Sequence, residues 1–212
     1  MKAEAEAYLQ DKYGEEFYVD DIEYTWQVDT YTMRGHLKGD KSSNFAVDKE
    51  EGKFNDAFFV HQMSQGAREE IKPYVERAFH PMMNWYSGVT VDKSEEARLA
   101  GKDLTYPELR KETDQYKQDV KVNIPLTLTE SNKTQEMEKA YQLIEYLNEN
   151  EINASLEVSY YYDPVLQKEK GVTEVDFTKQ ARYGEYVTGY LEINDVSTIN
   201  TEEDLNSYVE IY

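Results

Sequence analysis

The chain offers three histidines, 43 acidic side chains and no cysteine for chemistry. Without cysteine there is no thiol nucleophile, no disulfide and no thiolate metal site. His36, His61 and His80 share no short spacing, so a zinc or catalytic histidine site would need carboxylates contributed from distant segments. All three are read as ordinary surface or partly packed residues. Acidic neighbours such as Asp20-Asp21, Glu50-Glu51 and Glu69-Glu70 arise readily in so acidic a chain, and adjacent acids on a strand point to opposite faces. The run Asp48 to Gly52 looks faintly like a calcium loop but lacks the spaced acids and closing Glu, and it reads as an acidic hairpin turn. No phosphate-binding glycine motif and no Gly-x-Ser-x-Gly is present, which removes most support for a standard nucleotide site or a serine hydrolase. The two carboxylates of a glycosidase carry no local signature, so a glycan-active enzyme stays open as an alternative. No catalytic residue, metal or cofactor is assigned, and the enzyme question leans towards no.

Tyrosine, at 19 residues, is the one compositional excess. Along the strand pattern ending Tyr160-Tyr161-Tyr162, Tyr160 and Tyr162 fall with the apolar set and Tyr161 opposite. On the last strand pattern Tyr186 and Tyr190 face away from Val187, Leu191 and Ile193. Tyr161, Tyr186 and Tyr190 are therefore the candidate binding surface, because tyrosine offers contact area and a hydroxyl at small entropic cost. The competing reading is that they are simply good strand residues under a covering helix.

The elements that must position these residues follow from periodicity. Ala3 to Tyr13 has helix propensity and stops at Gly14. Phe17 and Val19 alternate, then Ile22, Tyr24, Trp26 and Val28 alternate in the other phase, which predicts a bulge near Asp20-Asp21. Tyr31, Met33 and Leu37 continue the pattern, with Gly35 interrupting it. Phe45 and Val47 form a short strand, and Phe54 to Val60 another. Gln65 to Phe79 has helical spacing with Pro73 inside it, so either a kink or a start near Lys72 is expected. These residues make one unit, 1–80, a helix, a four-strand meander and a helix, with a boundary at His80-Pro81. In the second unit, 81–212, Trp85 to Val91 is a strand and a polar connection follows through Gly101. Thr105, Pro107 and Glu108 open a helix by a capping box, running to about Lys117. Val120 to Leu128 alternates as a strand, and Pro125 suggests that it lies at a sheet edge or pairs on one side there. Lys133 to Asn150 is a helix, Ala154 to Tyr162 a strand, Val165 to Tyr183 a polar stretch, Val187 to Ile193 the last strand, and Thr201 to Tyr212 a closing helix. The fold class is α+β, with mixed or antiparallel sheets and packed helices in two small units.

Hydrophobic residues are 39% and charged residues 31% of the 212, a water-soluble globular balance. The net charge of −20 is dispersed. There are 10 basic and 17 acidic side chains up to His80, then 13 and 26, so the parts carry −7 and −13. Such a surface repels phosphate backbones and anionic lipid heads, which argues against nucleic acid and is compatible with cationic partners. No run approaches the ~20 apolar residues of a membrane span, and the start Met1-Lys2-Ala3-Glu4 is not a signal peptide. Met1 reads either as the natural start or as an expression start on a trimmed mature domain.

The stretch Glu6-Ala7-Tyr8-Leu9-Gln10-Asp11-Lys12-Tyr13-Gly14-Glu15-Glu16-Phe17 resembles the first mature segment of a group of uncharacterised lipoproteins of Gram-positive bacteria. There a helix ending Lys-Tyr-Gly-Glu-Glu-Phe leads into strands, as it does here through Val19-Asp20-Asp21-Ile22, and Met137 to Tyr162 fits their later half. The resemblance implies an extracytoplasmic domain, held at the membrane only through a removed, lipidated N-terminal segment. It carries no catalytic residue across. The expected role is a non-catalytic binding module on the cell surface, with an unknown protein or glycan as partner. The alternatives are a glycan-active enzyme using carboxylates brought together by the fold, and a cytoplasmic accessory protein binding a basic partner.

Overall fold

A computed structural model describes residues 1–162 and 186–212. The protein is α+β with two separate sheets. One unit comprises Met1–Gln65 and Val91–Gln115, the other Gly66–Thr90 and Tyr116–Tyr212. The division expected at His80-Pro81 is therefore corrected. The chain passes between units inside a helix, where composition does not change, and returns to the first unit for residues 91–115.

In the first unit helix α1 (Lys2–Tyr13) ends as expected at Gly14, whose φ of 77° suits a residue without Cβ. It covers one face of an antiparallel meander of β1 (Phe17–Thr25), β2 (Thr30–Leu37), β3 (Asp40–Glu50) and β4 (Lys53–Asp56). Ala5 and Leu9 of the helix bury against Phe17, Val19, Met33, Phe45 and Val47. Gly35 interrupts the apolar alternation because the Phe45 ring crosses that point of β2. A Cβ there would lie 2.6 Å from the ring. The bulge falls where the phase change placed it: pairing slips between Asp20 and Glu23, and Asp21 takes a left-handed φ of 51°.

Several boundaries differ from expectation. Trp26 and Val28 lie in the turn after β1 and not in the strand. The strand read over Phe54 to Val60 stops at Asp56, because the Asp56 carboxylate accepts from the Phe58 N–H at 3.0 Å and starts helix α2 (Phe58–Phe79). Short apolar runs such as Phe58-Phe59-Val60 do not distinguish strand from helix. Pro73 lies within α2 and neither ends nor begins it. The polar connection before Gly101 holds an unexpected helix, α3 (Lys93–Leu99), capped by Asp92 through the Ser94 N–H. The predicted capping box of Thr105 and Glu108 is present, but its helix α4 (Tyr106–Glu112) is shorter than expected, since strand character resumes at Tyr116.

The second unit has a five-stranded sheet in the order β5 (Asn84–Val91), β6 (Tyr116–Ile124), β7 (Ala154–Tyr161), β8 (Val187–Ile193), β9 (Val209–Ile211). Strands β6 and β7 are parallel, joined by helix α5 (Lys133–Glu149). The core brings Met137, Ala140, Leu143, Ile144 and Leu147 of α5 onto Val120, Val122, Leu156, Val158 and Leu191. Strand β6 is interior and ends before Pro125, which corrects the edge assignment; Leu126 and Leu128 lie beyond it. The expected C-terminal helix is also corrected. Thr201 and Asp204 cap a 3-10 turn over Glu202–Ser207, after which β-branched Val209 and Ile211 pair with β8. The polar stretch Val165 to Tyr183 lies outside the described residues.

Candidate functional site

Two places in the first unit gather groups able to interact, and the first is a buried carboxylate. Asp56 ends β4 directly under α1, which presents Tyr8 and Lys12 one turn apart and Tyr13 at its last position. Asp56 Oδ2 accepts from the Tyr8 hydroxyl at 2.8 Å and from Lys12 Nζ at 2.7 Å. Oδ1 accepts from the Tyr13 hydroxyl at 2.6 Å and from the Phe58 N–H at 3.0 Å. The carboxylate side chain is 0% exposed and Lys12 is 28% exposed. Burial works to raise the Asp56 pKa, but hydrogen bonds from Lys12, Tyr13 and Tyr8 outweigh it and hold the pKa below its usual value. The two phenols are pushed up, first by burial and then by donating to a carboxylate.

Beside this group lies a cavity of about 410 Å³, lined among others by Tyr8, Lys12, Asp48, Lys93 and Glu96. Burial raises the Glu96 pKa; Lys12 opposes the rise and the Asp56 charge adds to it. Two carboxylates displaced in opposite directions form the pattern of an acid–base pair. Against that use, the four donors on Asp56 fill the acceptor positions a carboxylate has, leaving none to take a proton or attack a substrate. What the arrangement does well is clamp α1, β4 and the start of α2 together.

The second place is the far end of the β1–β2 hairpin. Tyr24 pairs with Tyr31, and Tyr31 alternates with Met33 and Gly35 on the core face of β2. The bulge thus returns Ile22 and Tyr24 to the same face as Phe17 and Val19. Helix α1 does not reach them. Its first turn ends where Lys2 meets Asp20 at 3.3 Å and Glu4 meets Lys49 at 2.8 Å. Beyond that line Ile22 is 43% exposed and Tyr24 48%, and in the turn that follows Val28 is 60% and Trp26 75% exposed. The Tyr24 and Tyr31 rings lie 4.5 Å apart between centroids, and the Tyr24 hydroxyl donates to Asp29 Oδ1 at 2.8 Å. The hairpin therefore holds several large apolar and aromatic side chains exposed.

The three tyrosines named from sequence do not form one surface. Tyr161 is 0% exposed and packs with Met83, Tyr186 and Val187, so it is corrected to an interior residue. Alternation placed it on the outward face, but that end of the face is also covered, as buried Asn123 and Ser159 show. Tyr186 is partly buried in the same cluster. Tyr190 does face outward, 5.8 Å from the Tyr212 ring, and its hydrogen bond with Tyr212 pushes its pKa up to about 12. The histidines are scattered: His36 is buried near Asp20, His61 is partly buried with its pKa pushed down by burial, and His80 is exposed. Among the described residues no three His, Asp or Glu side chains gather as metal ligands, and no helix is long and apolar enough to cross a membrane.

Sequence reasoning counted Ile22, Tyr24, Trp26 and Val28 as one alternating strand stretch. Their signal was legible as alternation, but how far α1 would cover the sheet was not. Asp56 had no signal beyond lying between Phe54 and Phe58.

No protein-family model and no curated protein matches the sequence. In fold the chain is similar to the crystal structure of a DUF5037 family protein from Ruminococcus gnavus ATCC 29149. The likeness has a TM-score of 0.55 and 14% identity over 98% of each chain. At that identity it bears on the fold alone, and it agrees with an α+β protein of two sheet units.

Proposed function

We propose that this chain is a non-catalytic interaction module, the outward-facing part of a bacterial surface lipoprotein, and that it binds through the end of the β1–β2 hairpin. One observation carries the reading: Ile22, Tyr24, Trp26 and Val28 are all exposed on one hairpin. Leaving Trp26 and Val28 largely exposed and Ile22 and Tyr24 about half exposed forgoes part of the roughly 1.5–3 kcal/mol that full burial of each would bring, and exposed apolar groups gathered on one hairpin mark interaction sites. The resemblance of residues 6–17 to surface lipoproteins supports the location. Photo-crosslinking tests both parts. The purified chain with benzoylphenylalanine at position 26, irradiated with intact cells of its source, should give discrete adducts. The same probe at Glu138, exposed on α5, should not. Adducts from cytosol but not from intact cells would favour a cytoplasmic accessory role, and identical patterns from both positions would overturn the binding surface.

The second reading, a glycan-active enzyme, draws on the cavity lined by Asp56 and Glu96, whose pKa values are displaced in opposite directions, but the four donors on Asp56 leave Glu96 as its one available carboxylate of the two. It requires release of reducing ends from cell-wall glycan, lost in Glu96→Gln. Binding without such release leaves the interaction module as the function.

A further inference from the structure

The cavity beside Asp56 is lined in part by side chains that the clamp does not use. Strand β3 contributes Asp48, β4 contributes Asn55, and α3 contributes Lys93 and Glu96. Among the described residues none of these four side chains makes a hydrogen bond or an ion pair, although Asp48 and Glu96 are partly buried. The Asp56 group is different. There Asp56 takes its donors from Tyr8, Lys12 and Tyr13, so the Lys12 charge is already matched. What remains is the Asp48 and Glu96 carboxylates against the Lys93 ammonium, a net charge of −1. Independently of the hairpin, we propose that this cavity binds a small molecule through a primary ammonium group, held by Glu96, Asp48 and the Asn55 amide oxygen.

Size, charge and hydrogen bonding each narrow the ligand. At about 410 Å³ the cavity falls at the lower end of small-ligand sites, which run from roughly 300 to 1,000 Å³. An alkylammonium brings three N–H donors, and two carboxylates and a carboxamide oxygen are acceptors for them. Charge-assisted bonds of this kind are the strong ones. An anion is repelled by Asp48 and Glu96, and a neutral sugar leaves their charges uncompensated. A quaternary ammonium has no N–H to give and is held instead by a cage of aromatic faces, whereas Tyr8 is the one aromatic residue lining this cavity among the described residues. Burial raises the Glu96 pKa above its ordinary 4.5; Lys12 opposes the rise, Asp56 adds to it and Lys93 opposes it. A bound ammonium offsets the penalty that burial places on the charged carboxylate, so it draws the Glu96 pKa down. Lys93, which is exposed, is left to meet an acceptor elsewhere on the same molecule.

Ethanolamine is the probe, titrated into the full, isotope-labelled chain and followed by nuclear magnetic resonance. Choline shares its skeleton but lacks the N–H donors, and acetate and glucose supply an anion and a neutral sugar. Ethanolamine should move the backbone amides of Asp48, Asn55 and Glu96 and leave those of Ile22 and Tyr24 in place. It should bind at least about tenfold tighter than choline, acetate or glucose. Glu96→Gln and Asp48→Asn should each lose about tenfold in affinity. Neither carboxylate has a hydrogen-bond partner to strand, and unchanged resonances away from the cavity check that the variants fold. Saturation with ethanolamine should lower the Glu96 pKa, read from its side-chain carboxyl carbon, and affinity should fall as pH drops through that pKa. The groups facing Glu96 are Tyr8 and Lys12 from α1, Asp48 from β3, Asp56 from β4 and Lys93 from its own helix, so loss of this pH dependence in Glu96→Gln assigns it to Glu96. No shift with ethanolamine, equal binding of choline, unchanged affinity in Glu96→Gln or an unmoved Glu96 pKa overturns the proposal. Tighter binding of acetate or glucose overturns it as well, and none of these outcomes bears on the hairpin, which the crosslinks from positions 26 and 138 test separately.

Discussion

Asp56→Ala is expected to lower folding stability by about 3–5 kcal/mol, the cost of removing one partner from a buried charged pair. The substitution strands the Lys12 ammonium, the Tyr8 and Tyr13 hydroxyls and the Phe58 N–H, all of which now point at this carboxylate. It also removes the acceptor of the first N–H of α2. Asp56→Asn should recover little, because its amide nitrogen adds donors where donors already converge. Urea denaturation reads both losses as a fall in the midpoint. The pH dependence has a definite sign. The folded-state pKa of Asp56 is held below its ordinary 3.8, so its contribution is fully present above that value and is lost as pH falls through the folded pKa. The stability difference between wild type and Asp56→Asn should therefore be flat at neutral pH and shrink only in strong acid. A difference already fading near pH ~6 would show that the carboxylate is not held ionised by its donors.

The same residue shows where the sequence ran out. Periodicity recovered what depends on neighbours along the chain: α1 ending at Gly14, the bulge at Asp20-Asp21, the Thr105–Glu108 cap and the α5 stripe. It failed where tertiary reach decides. Alternation put Ile22 and Tyr24 in the other phase from Phe17 and Val19, and the bulge between them returns both to the core face; it cannot say that α1 stops short of them. Alternation likewise set Tyr161 opposite the core, but whether that opposite face meets water depends on what packs there. The C-terminal turn failed for a different reason. Thr201 and Asp204 are a true helix-start signal, but β8 offered Val209 and Ile211 a strand partner, and pairing overrode local propensity. The hub at Asp56 gathers residues 8, 12, 13 and 58, a set no local window contains.

Ile144→Ala is expected to cost about 2–5 kcal/mol. Ile144 is 0% exposed at the centre of the α5 stripe, with Met137, Ala140, Leu143 and Leu147 around it and the sheet strands beneath. Truncation removes three carbons from contact and leaves a void, and a helix packed on a sheet between rigid β-branched neighbours such as Val122 and Val158 has little freedom to close it. Ile144→Val, which removes one methylene, should cost only about 0.5–1.5 kcal/mol. Gln142→Ala and Glu145→Ala, on the exposed side of the same helix, should stay within about 0.5 kcal/mol. The graded series matters more than any one value. A packed interior scales the loss with the volume removed, whereas a loosely collapsed one absorbs Ile144→Ala almost as easily as Ile144→Val. Equal midpoints for those two variants would contradict the placement of α5 on the sheet, and with it the α+β core that rests on that helix.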